Sequence, residues 1–207
     1  MNIAIVGYSG HGFVAIDIFL SAGKKVEVYC DNEEKKLNPY GLSYLGKESD
    51  AAVMEELRLY NYFIAIGDNK IRQKIYRNLS SVIGQPINAV HSSAIISSSA
   101  ILQDGIMIAA NATINPLAQI GKAVICNTGA VIEHECIVGD FVHIAPAAVL
   151  CGNVTIGENS FIGANSVIRQ GITIGKNVTV GAGSVIIEDI SDNVMVAGNP
   201  HRILSNS

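Results

Sequence analysis

The chain has 207 residues, of which 49% are hydrophobic and 15% charged, and its formal net charge is −4. That is enough apolar material for one medium domain or two small ones and too little charge for disorder. The acidic balance argues against a nucleic-acid partner held by phosphate neutralisation, whereas a small phosphorylated metabolite needs only a few local donors.

No apolar run approaches the roughly 20 residues that cross a bilayer, so no membrane insertion is expected. Cys30, Cys126, Cys136 and Cys151 show no CxxC spacing, and no basic-then-apolar leader opens the chain. Both features point to the cytoplasm, and to cysteines that pack as small apolar groups.

From residue 1 to 89 the pattern alternates strands and helices. Ile3-Ala4-Ile5-Val6 reads as a buried strand, Gly7-Tyr8-Ser9-Gly10-His11-Gly12 as a glycine-rich turn, and Phe13 to Leu20 as a helix stopped by Gly23. Lys25 to Cys30 and Tyr62 to Ile66 are two further strands, ending at Asp31-Asn32 and Gly67-Asp68-Asn69. A basic helix with Lys70, Arg72, Lys74 and Arg77 follows. This is a small Rossmann-like parallel β-α-β sheet, and ligands of such sheets sit beyond the carboxyl ends of the strands. The three segments Gly7 to Gly12, Asp31-Asn32 and Gly67 to Asn69 are therefore expected to converge. The turn spells GxxGxG rather than GxGxxG, and some 90 residues are too few for a double-wound dinucleotide domain. A site for one nucleotide carrier is expected rather than an NAD site, with close helix packing as the other use of the glycines.

From residue 90 to 207 a period of six takes over. Every sixth residue from Ala94 to Ser184 is small or aliphatic, and fifteen of the sixteen from Ile96 to Ile186 are aliphatic, without an insertion. The next column holds Gly121, Gly139, Gly157, Gly163, Gly175 and Gly181, with Asn115 and Asn127, residue types suited to a left-handed corner. Neither a helix nor a meandering sheet keeps a strict six-residue column, whereas a triangular left-handed parallel β-helix of hexapeptide repeats does. Residues eighteen apart should stack on one face.

Functional groups gather in one stretch of that helix: Asn127-Thr128-Gly129, Glu133-His134-Glu135, His143 and Cys151-Gly152-Asn153. Acyl transfer from a thioester needs a base, a group that orients it and a donor for the developing oxyanion. His134 suits the base, and Glu135 or Glu133 could fix its tautomer. Gly152, eighteen residues on, offers a backbone N–H as the oxyanion donor or serves as a corner glycine. Only His134 and His143 lie in the regular coils, so a three-histidine metal site is not expected.

These segments resemble the nucleotide-aminosugar N-acetyltransferases of bacterial glycan pathways, particularly the branch that completes UDP-diacetylbacillosamine. The resemblance rests on Ile5 to Gly12, on Phe63 to Arg72, on Asn127 to Val138 with its Glu133-His134-Glu135, and on Val196-Ala197-Gly198-Asn199-Pro200. It implies acetyl-CoA as co-substrate, no metal, and a homotrimer with the cofactor between adjacent helices. His134 would deprotonate the sugar C4 amine with Glu135 tuning it, and Gly152 would donate to the thioester carbonyl. His143 would contact the acetyl end of the cofactor, and Asn199, Pro200 and Arg202 would lie near its adenine. Ser9, Gly10, His11, Asp31, Asn32, Gly67 and Asn69 would hold the UDP-sugar, although Asp68 and Asn32 stand where some relatives carry an asparagine and an acid. Related activities are O-acetylation of sialic acid and N-acetylation of a dTDP-4-aminosugar. A scaffold without catalysis has no use for the Glu133-His134-Glu135 cluster.

Overall fold

The computed structural model describes residues 2–206. The first part contains β1 (Ile3–Val6), α1 (Gly10–Ser21), β2 (Val26–Cys30), β3 (Ser43–Gly46), α2 (Ala51–Leu57), β4 (Asn61–Ile64) and α3 (Asn69–Ile83). The four strands form one parallel sheet in the order β3-β2-β1-β4. All four residues of β1 are buried, because helices and the second domain cover both faces of the sheet. α1 starts inside the glycine turn, three residues before the expected Phe13. Gly12 permits this: a Cβ there would collide with the Gly7 carbonyl. β3 and α2 escaped the sequence reading because β3 is a partly exposed edge strand with no apolar run.

The second part is a three-sided prism. Seventeen two-residue strands, β5 (Ala89–Val90) to β21 (Val185–Ile186), recur every six residues, and each pairs in parallel with the strand eighteen residues away. Three sheets result. The Ile96 column fills the centre of the prism, and Cys126 and Cys136 sit in that core with no exposure. Cys151 is the exception to the packing expectation, being partly exposed. Where the small column turns polar, the hydroxyls are satisfied: Ser160 Oγ donates to the Gly175 carbonyl at 2.7 Å and Ser166 Oγ to Gly163 at 2.7 Å. The stack starts one strand earlier than the hexad pattern shows. Asn88 occupies the small column there, and its side chain accepts the Ile106 N–H at 2.8 Å and donates to the Gln103 carbonyl at 2.9 Å.

The glycine column requires a correction. Gly121, Gly139, Gly157, Gly163, Gly175 and Gly181 do not adopt positive φ. The left-handed corners lie elsewhere, in the column of Asn111, Leu117, Ala123, Gly129, Glu135, Phe141, Ala147, Asn153, Asn159, Asn165, Gly171, Asn177 and Gly183. The first set is glycine because neighbouring coils approach too closely. A Cβ on Gly157 would lie 2.5 Å from the Gly175 carbonyl carbon, and one on Gly163 would lie 2.5 Å from the Val180 oxygen. The two columns therefore predict different costs. Gly163→Ala should destabilise the chain by roughly 1–3 kcal/mol through overpacking. Gly171→Ala, with φ +73 and open space around it, should cost only about 1 kcal/mol of backbone strain. Denaturant midpoints of the two variants check this, and a larger loss for Gly171→Ala contradicts it.

Candidate active site

The corner at residues 133–135 stacks directly on the corner at 151–153. The Asn153 N–H donates to the His134 carbonyl at 2.8 Å, and the Glu135 N–H to the Pro116 carbonyl at 3.0 Å. Glu135 is a non-glycine residue at φ 63, a conformation that the coil above and below must hold. Its carboxylate Oε2 lies 3.0 Å from His134 Nδ1, so it is Glu135 and not Glu133 that orients the ring. With Nδ1–H donating to that carboxylate, Nε2 carries the lone pair.

The ring rests against Gly152. A Cβ on that residue would come within 2.5 Å of His134 Cε1 and 2.6 Å of Nε2. Gly152 is glycine because the imidazole occupies the place of its side chain. Its carbonyl accepts from Gly171 N–H at 3.0 Å, while its own N–H donates to no acceptor among the described residues. A half-exposed basic nitrogen thus sits beside a free backbone donor, the pair that acyl transfer needs: a proton acceptor for the nucleophile and a donor for the oxyanion.

A second feature is a cleft of about 570 Å³ at the carboxyl ends of β1, β2 and β4, lined by Gly7, Ser9, Asp31, Asn32, Ile66 and Lys74 among others. Of the three segments expected to converge, Gly7 to Gly12 and Asp31-Asn32 meet here, while the third reaches the cleft only through Ile66. Asp31 is already engaged: its carboxylate accepts the Tyr8 N–H at 2.9 Å and the Asn32 N–H at 2.7 Å, and it pairs with Lys35 Nζ at 2.9 Å. An acidic group therefore occupies the glycine turn at the point where a dinucleotide fold would offer a bare N–H to phosphate. Gly67 and Asn69 line a different hollow of about 410 Å³ with Asp68, Lys70, Asn159, Phe161 and Thr179. Gly10 and His11 lie in the first turn of α1, and the His11 ring faces Gly67 and His143.

His143 does not share the His134 corner, although the sequence reading grouped them. It belongs to the face of the prism that packs on the N-terminal domain, and it is buried beside Phe161. Nδ1 lies 3.3 Å from the Gly67 carbonyl and Nε2 lies 3.2 Å from Asn127 Nδ2. Both ring nitrogens are thereby occupied within the chain. Burial, reinforced by the Arg72 cation, pulls its pKa down to about 3, and the same two causes bring His11 down to about 4.

The sequence reading missed Arg72, which it treated as part of a basic helix surface. Only 1% of the residue is exposed. Nε donates to the Ala123 carbonyl at 2.8 Å and Nη1 to the carbonyls of Ile66 and Gly67 at 3.0 Å each. Nη2 donates to Asn69 Oδ1 and the Phe141 carbonyl at 2.8 Å each. A signal was present, since Arg72 opens the buried stripe Arg72, Ile75, Tyr76, Leu79 of α3 at helical spacing.

At the far end, Asn199 and Pro200 lie exposed in the turn between β22 (Val194–Ala197) and β23 (Arg202–Asn206), and Arg202 opens the latter strand, also exposed. Among the described residues no cluster of three His, Cys, Asp or Glu side chains could hold a metal ion, and no helix is long and apolar enough to cross a membrane.

A stacked-coil prism with a His–carboxylate pair and a free N–H at one corner is the build of a hexapeptide-repeat acyltransferase. Comparison with known proteins narrows the class. The family model of the PglD N-terminal domain matches residues 2–79, and that of the hexapeptide repeat of succinyl-transferase matches residues 153–188. A histidine variant of the perosamine N-acetyltransferase from Caulobacter crescentus, solved with CoA and GDP-perosamine, superposes with a TM-score of 0.93 at 33% identity, covering 100% of this chain and 98% of that one. The acetyltransferase domain of PglB from Neisseria gonorrhoeae FA1090, solved with acetyl coenzyme A, gives 0.92 at 34% identity and 98% of both chains. The UDP-N-acetylbacillosamine N-acetyltransferase of Bacillus subtilis is 36% identical over 113 residues, which are 53% of this chain and 51% of the relative. The matched stretch thus spans about half the length of the curated relative. The chain belongs to the nucleotide-aminosugar N-acetyltransferase family of hexapeptide-repeat proteins.

The buried histidines have a measurable consequence. His11 and His143 have folded-state pKa values below the unfolded value of about 6.5, so the unfolded chain binds more protons once the pH drops under 6.5. Stability is then full above that pH and is lost as the pH falls towards 4. The loss between pH 7.5 and pH 5 should be roughly 3–4 kcal/mol, at about 1.4 kcal/mol per pH unit per group. Urea titrations at the two pH values check this. His143→Asn should remove about half of the dependence, and an unchanged dependence contradicts a neutral His143.

Proposed function

We propose that the chain transfers the acetyl group of acetyl-CoA to the C4 amine of a nucleotide-linked 4-amino-4,6-dideoxysugar. The observation that carries this reading is the His134 ring held between Glu135 and Gly152. In the step itself the neutral amine attacks the thioester carbonyl carbon while His134 Nε2 takes a proton from the nitrogen. The oxyanion is held by the Gly152 N–H. On collapse the carbon–sulfur bond breaks, the amide forms, and the proton on Nε2 passes to the departing CoA thiolate. Glu135 keeps Nδ1 protonated and stabilises the transient imidazolium.

The nucleotide is assigned to the cleft beyond β1, β2 and β4, with Ser9, Asp31 and Asn32 in its wall and Gly10, His11, Gly67 and Asn69 on the side towards the prism. UDP is our choice, for the formation of UDP-diacetylbacillosamine. GDP-perosamine is a second reading, favoured by the similarity to the Caulobacter enzyme bound to that sugar and by a GDP-perosamine N-acetyltransferase of Escherichia coli O157:H7, 31% identical over 88 residues.

Within one chain the cleft and the His134 corner belong to different sides of the molecule. The outward residues between them, including Ile95, Val131, Val149 and Val167, form an apolar stripe on the second face of the prism, with Ile95 65% exposed. A homotrimer covers that stripe and brings the cleft of one subunit to the corner of the next, with acetyl-CoA in the groove between prisms and Asn199, Pro200 and Arg202 near its far end.

The experiment is acetyl-CoA consumption with UDP-, GDP- and dTDP-linked 4-amino sugars and with free sialic acid, on material shown by sedimentation to be trimeric. The UDP-sugar should turn over fastest. His134→Ala should lower kcat by about 10²–10⁴, and Gly152→Ala, whose methyl displaces the ring, by about 10². Preference for the GDP-sugar moves the substrate to the second reading. Turnover by a monomer, or a His134→Ala variant as fast as wild type, contradicts the proposed site.

A further inference from the structure

We propose that Arg72 is a positioning residue for this reaction: through the Gly67 carbonyl it fixes the ring orientation of His143 and hence the amide of Asn127 at the prism corner. The kinetic part of this inference rests on the function proposed above, and the part concerning ring orientation does not.

The Gly67 carbonyl is a shared acceptor. It receives Arg72 Nη1–H at 3.0 Å and faces His143 Nδ1 at 3.3 Å. A carbonyl has nothing to donate, so Nδ1 must carry the hydrogen, and Nε2 is left with the lone pair. Asn127 Nδ2 stands 3.2 Å from Nε2 and therefore donates to it, while Asn127 Oδ1 accepts the Thr128 N–H at 2.8 Å. Each group has one available role, and the order runs from the guanidinium to the corner at residues 127–129. That corner borders a hollow of about 370 Å³, lined by Thr128 with Phe13, Tyr40 and His91. The second N–H of the Asn127 amide has no acceptor among the described residues, and its direction is set by this sequence of bonds.

Packing alone gives no reason for a guanidinium here. Among the described residues no carboxylate pairs with it, its burial is costly, and an apolar side chain of similar volume often stabilises such a place equally well. What an apolar residue cannot do is hold the carbonyls of Ile66 and Gly67 at the end of β4 against those of Ala123 and Phe141 in the prism. The positive charge also opposes protonation of His11 and His143, the direction found for both.

The test uses full-length protein carrying ¹⁵N-labelled histidine. Wild-type His143 should give the signature of a neutral ring protonated on Nδ1 throughout pH 5–8. A ring that protonates in that range, or one protonated on Nε2, overturns the proposal without any variant. In Arg72→Lys, whose ammonium cannot span all five acceptors, the Gly67 carbonyl loses its anchor and the His143 ring-nitrogen signals should shift or broaden as the ring orientation is released. At a temperature where the variant is fully folded, kcat should fall about 10²-fold with little change in KM for acetyl-CoA. A folded Arg72→Lys with wild-type kcat, or with an unmoved His143 signal, reduces Arg72 to a structural residue and contradicts the proposal. Loss of turnover in the wild type would instead count against the reading of function and leave the ring assignment to stand on the spectra.

Discussion

The corners of a stacked prism leave carbonyl oxygens without backbone partners, and one edge of this prism satisfies three of them from the other domain. The carbonyls of Ala123, Phe141 and Asn159 recur at eighteen-residue intervals. They accept in turn from Arg72 Nε, Arg72 Nη2 and Asn69 Nδ2. All five guanidinium hydrogens find an oxygen, two of them at the end of β4. Burial lowers the Arg72 pKa to about 9, which leaves the group charged at neutral pH. The ends of the sheet, where the cleft lies, are thereby held in register with the coils. Around this polar clamp the contact is apolar: Ala123 and Phe141 pack with Ile75, Tyr76 and Leu79, and Met107 and Ile125 with the α1 side of the domain. Removing the arginine would leave several buried carbonyls unpaired, each costing more than the bond itself contributed.

The prism solves a different problem. Its repeats make a rigid frame from two-residue strands, so that outward and corner positions clear of the neighbouring coil can be changed without disturbing the core. Residues 133–135 and 152 are such changes. A left-handed corner that elsewhere carries asparagine, glycine or an apolar residue carries Glu135, and the space a side chain would fill at position 152 holds the His134 ring. The proposed base and the proposed oxyanion donor come from adjacent coils, and the spacing of coils in a parallel stack sets their separation. This is preorganisation obtained from a repeat, with no loop to order on binding.

The repeat could be read in the sequence because a strict column of sixteen residues at a period of six fits neither a helix nor a meandering sheet. The pairing of His134 with Gly152 follows from the same eighteen-residue arithmetic. Two kinds of information were illegible. One was the reason for the glycines: composition marks a corner, but only the packing of coils separates a left-handed φ from a close approach, so Gly157 and Gly171 look alike in one dimension. The other was three-dimensional grouping across domains. His143 lies nine residues from His134 yet on another face, where its partners are Gly67 and Asn127. Arg72 looked like one of several surface cations until its burial with Ile75, Tyr76 and Leu79 was seen. The choice between Glu133 and Glu135 likewise depended on which carboxylate the corner turns towards the ring.

The central claim is that an amine, not a hydroxyl, receives the acetyl group. The most direct measurement is carbon NMR of the product formed from [1-¹³C]acetyl-CoA and the UDP-linked 4-amino sugar, before and after mild hydroxylamine treatment. An amide carbonyl coupled to the C4 nitrogen and resistant to hydroxylamine is the result expected from a His134 base acting on a neutral amine. A carbonyl on a sugar oxygen, released by hydroxylamine as the hydroxamate, would contradict the account and make the chain an O-acetyltransferase built on the same frame.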